Sequence, residues 1–386
     1  ADAGYDAPVG QSLQASFRGF SALQTAYAKL QFSSPTKYSN VIAPWFNQIN
    51  DFLWGGTTQH SEQVGNLCAD LNGMGGGAKA FRDGEDGVAP LFCAMADIAE
   101  QEVMEEEVPF LQLVSKRLVT DNQGFGKYRG GMGYEMIVAS RGTPSWGFMT
   151  VTSGSKFSSV SGMFGGYGCP TYPLSMVKNI NIYDIIRKDP SQFDLSIERV
   201  MNEQPYEGGK YLTGHMGLQF DVAKEGELYM ISQGSGGGYG DILERDPELV
   251  MADLQLARIS DKVAGELYGV VYEPDTFVVR EEDTTALRAQ MRQDRLKRGK
   301  PYKEFVAEFV KPEPPKELLY FGSWGDDNDQ LVATHWGKSE PERVTARLED
   351  LPLIMIPDRR VLKIEELSKR VRELEVKCGE EVQHKS

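Results

Sequence analysis

Three glycine-rich blocks constrain the fold of this chain more than any other feature of its sequence. The second block, residues 124–135 (GFGKYRGGMGYE), interrupts what would otherwise be two strands and keeps Lys127 and Arg129 between its glycines. Glycine stands where a backbone takes a positive φ or where another group must come close. A cationic segment bent by glycines therefore indicates either an anion site or a tightly packed turn.

The other two blocks flank the second one in the sequence. The first is residues 73–87 (GMGGGAKAFRDGEDG), and the third is residues 234–247 (GSGGGYGDILERDP). In this order they resemble the C-terminal part of the hydantoinase B family. There, one glycine-rich block ends in a Lys/Arg and Asp-Gly element, the next reads Arg-Gly-Gly-x-Gly, and the third reads Gly-Gly-Gly-x-Gly-Asp before Glu-Arg-Asp-Pro. Residues 124–135, 163–167 and 268–271 are most similar to the large subunits of ATP-dependent ketone carboxylases.

The resemblance implies a reaction and a set of partners. A hydantoinase A-like partner would bind and use ATP, a small accessory subunit would complete the complex, and bicarbonate-derived CO2 would meet an enolised ketone in the hydantoinase B-like subunit. Acetophenone is the first choice of ketone and acetone the second. The resemblance also implies a divalent metal (Mg, Mn or Zn) outside this segment, which would be the C-terminal portion of a larger subunit. ATP-dependent opening of a hydantoin or 5-oxoproline-like lactam, and a non-catalytic scaffold, are the alternatives.

Charge and cysteine usage exclude several classes of protein. The formal charge of −15 opposes a nucleic-acid partner, because phosphate binding needs a basic face. The four cysteines are far apart and lack CxxC spacing, which argues against a zinc knuckle and a disulfide scaffold. No apolar run approaches the length of a membrane span, and no leader pattern is present. We expect a cytoplasmic protein without a membrane segment.

The hydrophobic pattern predicts an α+β fold, with a β-rich sandwich or barrel-like core between helical ends. Short β-rich runs bounded by turn residues favour the core, and apolar spacing of three and four favours the helices. We predict a helical segment over residues 1–55, a β-rich core over 56–275 and a helical and extended C-terminal part over 276–386. The predicted helices are Val9 to Gln31, Trp45 to Leu53, Pro90 to Glu105, Pro247 to Leu267, Thr284 to Arg298 and Val361 to Val376; the strands include Phe110 to Val119, Tyr134 to Ser140, Phe148 to Thr152 and Gly226 to Ile231.

The second block supplies two of the candidate catalytic residues. Enolate chemistry with a reactive CO2 equivalent needs preset cations in a site closed to water. Arg129 offers a forked contact to a carboxylate or phosphate, and Lys127 a point charge. The structural alternative is a glycine-bent corner whose cations face solvent or pair with Glu135. His215 is the third catalytic candidate, for acid–base work, against the commoner outcome of a structural histidine.

Cofactor and metal contacts have weaker sequence signals. We predict Lys79 and Arg82 of the first block as cofactor contacts, although the Asp-Gly pair beside them is also an ordinary turn. The third block lacks the Gly-Lys-Ser/Thr ending of a phosphate loop, so close backbone packing is favoured there. No histidines have ligand spacing, and no metal site is predicted in this chain. The basic residues of Thr284 to Arg298 are expected on a solvated helix face, with docking of an acidic partner as the alternative.

Overall fold

A computed structural model gives the fold of a defined part of the chain. The chain divides into two compact units, Ala1–His335 and Trp336–Ser386. The residues that the structure describes are 9–45, 49–57, 63–68, 74–88, 111–143, 145–153, 158–170, 174–193, 195–214, 221–309 and 367–370. Residues 367–370 are helical and belong to the second unit. The predictions for residues 90–105, and for most of 361–376, lie outside the described residues.

The N-terminal helix is confirmed, whereas the helix predicted after it is wrong. Helix α1 spans Val9–Phe32. Strand β1 occupies Ile49–Thr57, where the sequence pattern indicated a helix ending at Leu53. This segment pairs with strands on both of its sides, and Trp54 is buried in the core. Strand pairing and burial override the local spacing of apolar residues.

Nine strands form two antiparallel sheets within the described residues. The four-stranded sheet has the order β2-β1-β5-β8, and the five-stranded sheet has the order β3-β4-β9-β6-β7. The predicted strands at Phe110, Tyr134, Phe148 and Gly226 are confirmed. The strands after β1 are β2 Gln63–Cys68, β3 Leu111–Leu118, β4 Tyr134–Ser140, β5 Ser145–Ser153, β6 Leu174–Lys178, β7 Lys210–Gly214, β8 Asp221–Ala223 and β9 Leu228–Ser232.

The two sheets face each other across an aromatic core. Trp146 and Phe148 of the four-stranded sheet contact Tyr229 of the five-stranded sheet, with ring centroids 5.3 and 4.5 Å apart. All three residues are at most 2% exposed. The fold is therefore an α+β structure with a two-layer sandwich, and the described strands do not close into a barrel. Successive residues of a strand point alternately toward this core and away from it. An alternating apolar pattern in the sequence therefore predicts a strand.

Two short helices cover the outer face of the five-stranded sheet. They are α2 Ile182–Lys188 and α3 Ile197–Glu203, capped by the side chains of Asn181 and Ser196. Their apolar residues pack on the face of β4 opposite to the sandwich core. All seven residues of β4 are consequently buried, which places the end of the second glycine block on a rigid strand.

Three helices follow the third glycine block between residues 247 and 309. They are α4 Pro247–Gln255, α5 Glu281–Arg298 and α6 Tyr302–Phe309. The helix predicted from Pro247 to Leu267 is interrupted, since Ala257 has a φ of 52° and a separate π-helical turn spans Val263–Leu267. No helix in the described part of the chain combines the length and apolar character needed to cross a bilayer.

Helix α5 confirms the helix predicted over residues 284–298 but corrects the environment of its arginines. Arg288 donates to the Tyr268 carbonyl at 3.0 Å, Arg292 to the Leu243 carbonyl at 3.0 Å, and Arg295 to Asp241 at 2.8 and 2.9 Å. The solvated face predicted for these residues is wrong for Arg288, which is buried, whereas Arg292 is exposed and Arg295 is half-buried. They satisfy carbonyls and a carboxylate around the third block, because that segment ends in polar turns that need donors.

Candidate functional site

The three glycine blocks pack backbone against backbone. A Cβ atom on Gly236 would lie 1.8 Å from the Gly76 carbonyl oxygen, and one on Gly131 would lie 1.7 Å from the Glu85 carbonyl oxygen. Atoms cannot approach that closely, so only glycine fits these positions. The close packing predicted for the third block is confirmed, and it extends through all three blocks.

Hydrogen bonds between the blocks place the second block between the first and the third. Gly131 donates to the Gly76 carbonyl at 2.7 Å, and Gly236 donates to the Gly131 carbonyl at 3.1 Å. Gly75 joins the first block directly to Gly234 of the third at 3.0 Å. These N–H groups are bonded within the protein, so they do not form an anion-binding loop. The three glycine blocks form a rigid layer of packed backbone, which we call the slab, and side chains project from it.

Arg129 contacts one buried and two partly buried carboxylates. Its Nε atom donates to Asp253 Oδ1 at 3.1 Å and its Nη1 atom to Asp86 Oδ1 at 2.8 Å, with 3% of the side chain exposed. Its backbone N–H donates to Asp83 Oδ1 at 2.8 Å. The guanidinium of Arg129 is thus committed to carboxylates of this chain, and its catalytic role stays a prediction.

Arg245, near the end of the third block, contacts two of these carboxylates. Its two terminal nitrogens donate to the two carboxylate oxygens of Asp83 at 2.7 and 2.8 Å, a forked pairing. The same guanidinium donates to Asp253 Oδ2 at 2.6 Å and to the Lys127 carbonyl at 3.1 Å. Only 1% of the Arg245 side chain is exposed. Arg258 completes the cluster, with Nε 3.1 Å from Asp86 Oδ2.

We call this group the aspartate–arginine cluster; it consists of Asp83, Asp86, Arg129, Arg245, Asp253 and Arg258. Three carboxylates balance three guanidinium groups, which offsets the cost of burying Arg129, Arg245 and Asp253. Burial alone would raise the pKa of Asp83, but the hydrogen bond and charge of Arg245, with the charge of Arg129, hold that pKa below its usual value. Burial lowers the pKa of Arg129 and Arg245, and the surrounding carboxylates outweigh it and raise both. Asp83, Arg129 and Arg245 therefore stay ionised around neutral pH.

Lys127 shares a fixed backbone with Arg129 but differs from it in having an exposed charged group. Its side chain is 42% exposed, and its Nζ atom lies 3.7 Å from Glu244 Oε2, a carboxylate that is itself 56% exposed. Such an exposed pair is weak and easily replaced by another anion. The slab thus presents one cation outward while it buries the next one. A lysine held this way can stabilise negative charge that develops on a bound molecule.

The remaining alternative for these two cations, pairing with Glu135, is not what the structure shows. Glu135 accepts from Arg117 Nε at 2.5 Å and from the backbone N–H of Ile197 at 3.3 Å. Burial raises the pKa of Glu135, while the charge and hydrogen bond of Arg117 act in the opposite direction. This glutamate anchors helix α3 to the sheet and does not neutralise the second block.

The predicted cofactor contacts form a separate small cluster on the first block. Lys79 and Arg82 both pair with Glu85, Arg82 at 2.8 Å. Lys79 is 16% exposed and Arg82 is 55% exposed. Burial would raise the pKa of Glu85, but the hydrogen bond from Lys79 and the charges of Lys79 and Arg82 lower it. Contact of these two cations with a cofactor stays a prediction.

Histidine and metal chemistry cannot be placed from the described residues. His215 lies outside them, as do the other three histidines. Across the described ranges, no group of three or more His, Cys, Asp and Glu side chains is arranged to hold a metal ion. The clustered aspartates of the slab are paired with arginines instead.

Sequence reasoning missed Arg245 and Asp253, the two most buried members of the cluster. Arg245 was part of the Glu-Arg-Asp-Pro sequence of the third block, so an arginine between two acids was a signal of ion pairing. Asp253 lies on an apolar stretch of α4 and is only 3% exposed. An acidic residue among apolar helix positions indicates a buried partner, but nothing local identifies that partner.

Comparison with known sequences gives one family and two relatives. The sequence pattern of the hydantoinase B/oxoprolinase family matches residues 1–242. The chain is 30% identical over 309 residues to the acetophenone carboxylase delta subunit of Aromatoleum aromaticum, covering 79% of this chain and 45% of that subunit. It is 27% identical over 279 residues to the acetone carboxylase alpha subunit of Xanthobacter autotrophicus, covering 70% of this chain and 35% of that subunit. The chain spans less than half the length of these relatives.

Comparison with solved structures supports the fold. A nucleotide-free structure of acetone carboxylase matches 79% of this chain and 42% of its own chain, with a TM-score of 0.61 and 23% identity. An ATP-dependent caprolactamase from Pseudomonas jessenii matches 67% of this chain and 40% of its own, with a TM-score of 0.53 and 22% identity. At these identities the likeness concerns the fold alone. The family pattern covers most of the chain and a 30% identical relative covers 79% of it, and the chain therefore belongs to the hydantoinase B/oxoprolinase family.

Proposed function

We propose that this chain is the C-terminal part of the hydantoinase B-like subunit of an ATP-dependent carboxylase. The reaction adds bicarbonate-derived CO2 to an enolised ketone, with acetophenone as the first candidate substrate and acetone as the second. The observation that carries this proposal is the 30% identity over 309 residues to an acetophenone carboxylase subunit. The match to the acetone carboxylase subunit is shorter and weaker, at 27% over 279 residues.

The chemistry needs a cation that is in place before charge develops. Removal of an α-proton leaves an enolate, which attacks the carbon of CO2 and forms a carboxylate. Negative charge is present at each stage. A positive group that is already in place, in a site closed to water, therefore lowers the activation free energy most. We propose Lys127 for that role, since its backbone is fixed in the slab and its exposed ammonium can contact a molecule that a partner subunit closes off from water.

The other predicted site residues have different proposed roles. Arg129 is buried with Asp86 and Asp253 and acts by fixing the second block. His215 is proposed for proton transfer. Lys79 and Arg82, on the first block, are proposed to contact a phosphate or bicarbonate oxygen. These roles rest on residue chemistry and on the resemblance of the glycine blocks to the family.

The proposed partners follow from the resemblance to the family, and the two relatives are themselves carboxylase subunits. A hydantoinase A-like subunit binds ATP, and a small accessory subunit completes the complex. A divalent metal belongs to a part of the hydantoinase B-like subunit outside this chain. The chain then contributes one wall of the chamber in which bicarbonate and the ketone meet.

Substrate-dependent ATP hydrolysis by the purified complex tests this function. Four reactions are compared, with acetophenone plus bicarbonate, acetone plus bicarbonate, caprolactam alone and no organic substrate. The proposal predicts that ATP hydrolysis depends on a ketone together with bicarbonate, and that acetophenone gives the faster rate. Hydrolysis driven by caprolactam without bicarbonate would overturn it in favour of a lactam hydrolase.

A further inference from the structure

The backbone of Lys127 is held at both of its polar groups. Its N–H donates to the Gly240 carbonyl at 3.1 Å, and its carbonyl accepts from Arg245 Nη1 at 3.1 Å. Both partners belong to the third glycine block, more than a hundred residues away in sequence. The backbone of Lys127 is therefore held at both polar groups, although its side chain is exposed and lies outside any helix or strand.

The two residues after Lys127 are fixed in the same way. Tyr128 and Tyr239 exchange backbone hydrogen bonds of 3.0 and 2.9 Å. The N–H of Arg129 donates to Asp83 Oδ1, and Asp83 is the carboxylate that Arg245 grips with its fork. Arg245 therefore holds the chain before Tyr128, at the Lys127 carbonyl, and Asp83 holds it after Tyr128, at the Arg129 N–H. The direction in which the Lys127 side chain leaves the slab is set by these contacts.

Gly240 controls the first part of the Lys127 side chain. A Cβ atom built on Gly240 would lie 3.0 Å from Lys127 Cβ and 3.7 Å from its Cδ. The aliphatic part of the Lys127 side chain thus packs closely against Gly240, and a side chain at position 240 would crowd it. Gly240 also has a φ of 75°, a conformation that glycine adopts without strain.

We propose that Gly240 and Arg245 are positioning residues that fix the direction in which the Lys127 ammonium group leaves the slab. Gly240 supplies the carbonyl and the close packing against the lysine side chain, and Arg245 supplies the donor to the Lys127 carbonyl. The part that Lys127 plays in carboxylation rests on the proposed function, whereas the positioning itself is a property of this chain. Functional side chains act best when the elements that support them are rigid.

Nuclear magnetic resonance of the full chain, reductively methylated with ¹³C-formaldehyde, tests the positioning. Each lysine then gives a dimethylamine signal, and the Lys127→Arg variant identifies the signal of Lys127. We expect the Gly240→Ala and Arg245→Lys variants to displace or broaden that signal. Gly142→Ala is the matched control, since Gly142 also has a positive φ, 64°, but no atom within 4 Å of an added Cβ.

The outcomes separate positioning from general disturbance of the fold. A Lys127 signal that moves in Gly240→Ala and keeps its position in Gly142→Ala supports the proposal. An unchanged Lys127 signal in Gly240→Ala overturns it. If Arg245→Lys does not fold, Gly240→Ala decides alone, because its control carries the same backbone strain.

Kinetics of the assembled complex add a second readout. Displacement of a reacting or charge-stabilising group by about 1 Å lowers the rate by on the order of a hundredfold. We expect Gly240→Ala to lower kcat by that factor while the KM for the ketone stays unchanged, and Gly142→Ala to keep both values. If the resonance moves but kcat does not, Gly240 positions Lys127 and the proposed catalytic use of Lys127 is wrong. The two failures are therefore distinguishable.

Discussion

Replacement of Gly236 by alanine tests whether the slab depends on direct contact between backbones. The added Cβ would lie 1.8, 2.4 and 2.8 Å from three backbone atoms, the oxygen and carbon of Gly76 and the nitrogen of Gly77. Backbone atoms cannot rotate away as a side chain can. The first and third blocks must separate by about 1.5 Å before these contacts become ordinary van der Waals contacts.

That separation breaks identifiable hydrogen bonds. The bond from Gly131 to Gly76 is 2.7 Å, that from Gly236 to Gly131 is 3.1 Å, and that from Gly124 to Gly236 is 2.9 Å. Each buried bond contributes about 1 kcal/mol, and an unsatisfied buried group costs more. We expect Gly236→Ala to lower the free energy of unfolding by about 4 kcal/mol, a large part of the stability of an ordinary domain.

Urea unfolding, followed by tryptophan fluorescence, measures this loss. Trp54 and Trp146 are buried in the sandwich core and report its exposure. Gly142→Ala is the control, because it introduces a positive-φ alanine without any close contact and should cost about 1 kcal/mol. If the free energies of unfolding of Gly236→Ala and of the control differ by less than about 1 kcal/mol, the role of backbone contact is refuted.

Four further outcomes follow from the described residues. Gly19→Ala, inside α1 with nothing near the added Cβ, should raise the free energy of unfolding in urea by about 0.5–1 kcal/mol. Asp253→Asn removes the carboxylate that the buried Arg129 and Arg245 guanidinium groups share and should lower the same quantity by about 3 kcal/mol. Arg245 helps hold the folded-state pKa of Asp83 below its unfolded value. The stability that ionised Asp83 contributes is therefore present above about pH 4 and is lost as the pH falls further. The urea midpoints of the wild type and of Asp83→Asn should consequently converge in acid. Burial raises the pKa of the Cys169 thiol to about 11, and mass spectrometry should find it unmodified by iodoacetamide at pH 8 until the chain unfolds.

The strands were predictable because their signal is local. Strand β4 has apolar residues at nearly every position, and its burial on both faces explains why the run is continuous. The β1 segment was misread as helix, because its pairing with β2 and β5 is not visible in its own residues. Local spacing of apolar residues is outweighed when neighbouring strands complete the hydrogen bonds.

The candidate site was predictable only in part. The glycine blocks identified the segments that meet, because close approach requires glycine wherever it occurs. The aspartate–arginine cluster was not predictable, since Arg245 and Asp83 are 162 residues apart and Arg129 and Asp253 are 124 residues apart. The sequence placed Lys127 and Arg129 together as two similar cations. The fold gives them different environments, one exposed and one buried.

Incorporation of ¹⁴C-bicarbonate into acetophenone, by complexes carrying variants of this chain, decides whether Lys127 takes part in carboxylation. Lys262 is exposed beside the π-helical turn and provides a matched control. Loss of a charge-stabilising group from an active site lowers kcat by on the order of a hundredfold to a thousandfold. We predict such a loss for Lys127→Ala in a complex that still assembles, and full incorporation for Lys262→Ala. Equal incorporation by the two variants would contradict a catalytic role for the slab and leave it as a scaffold.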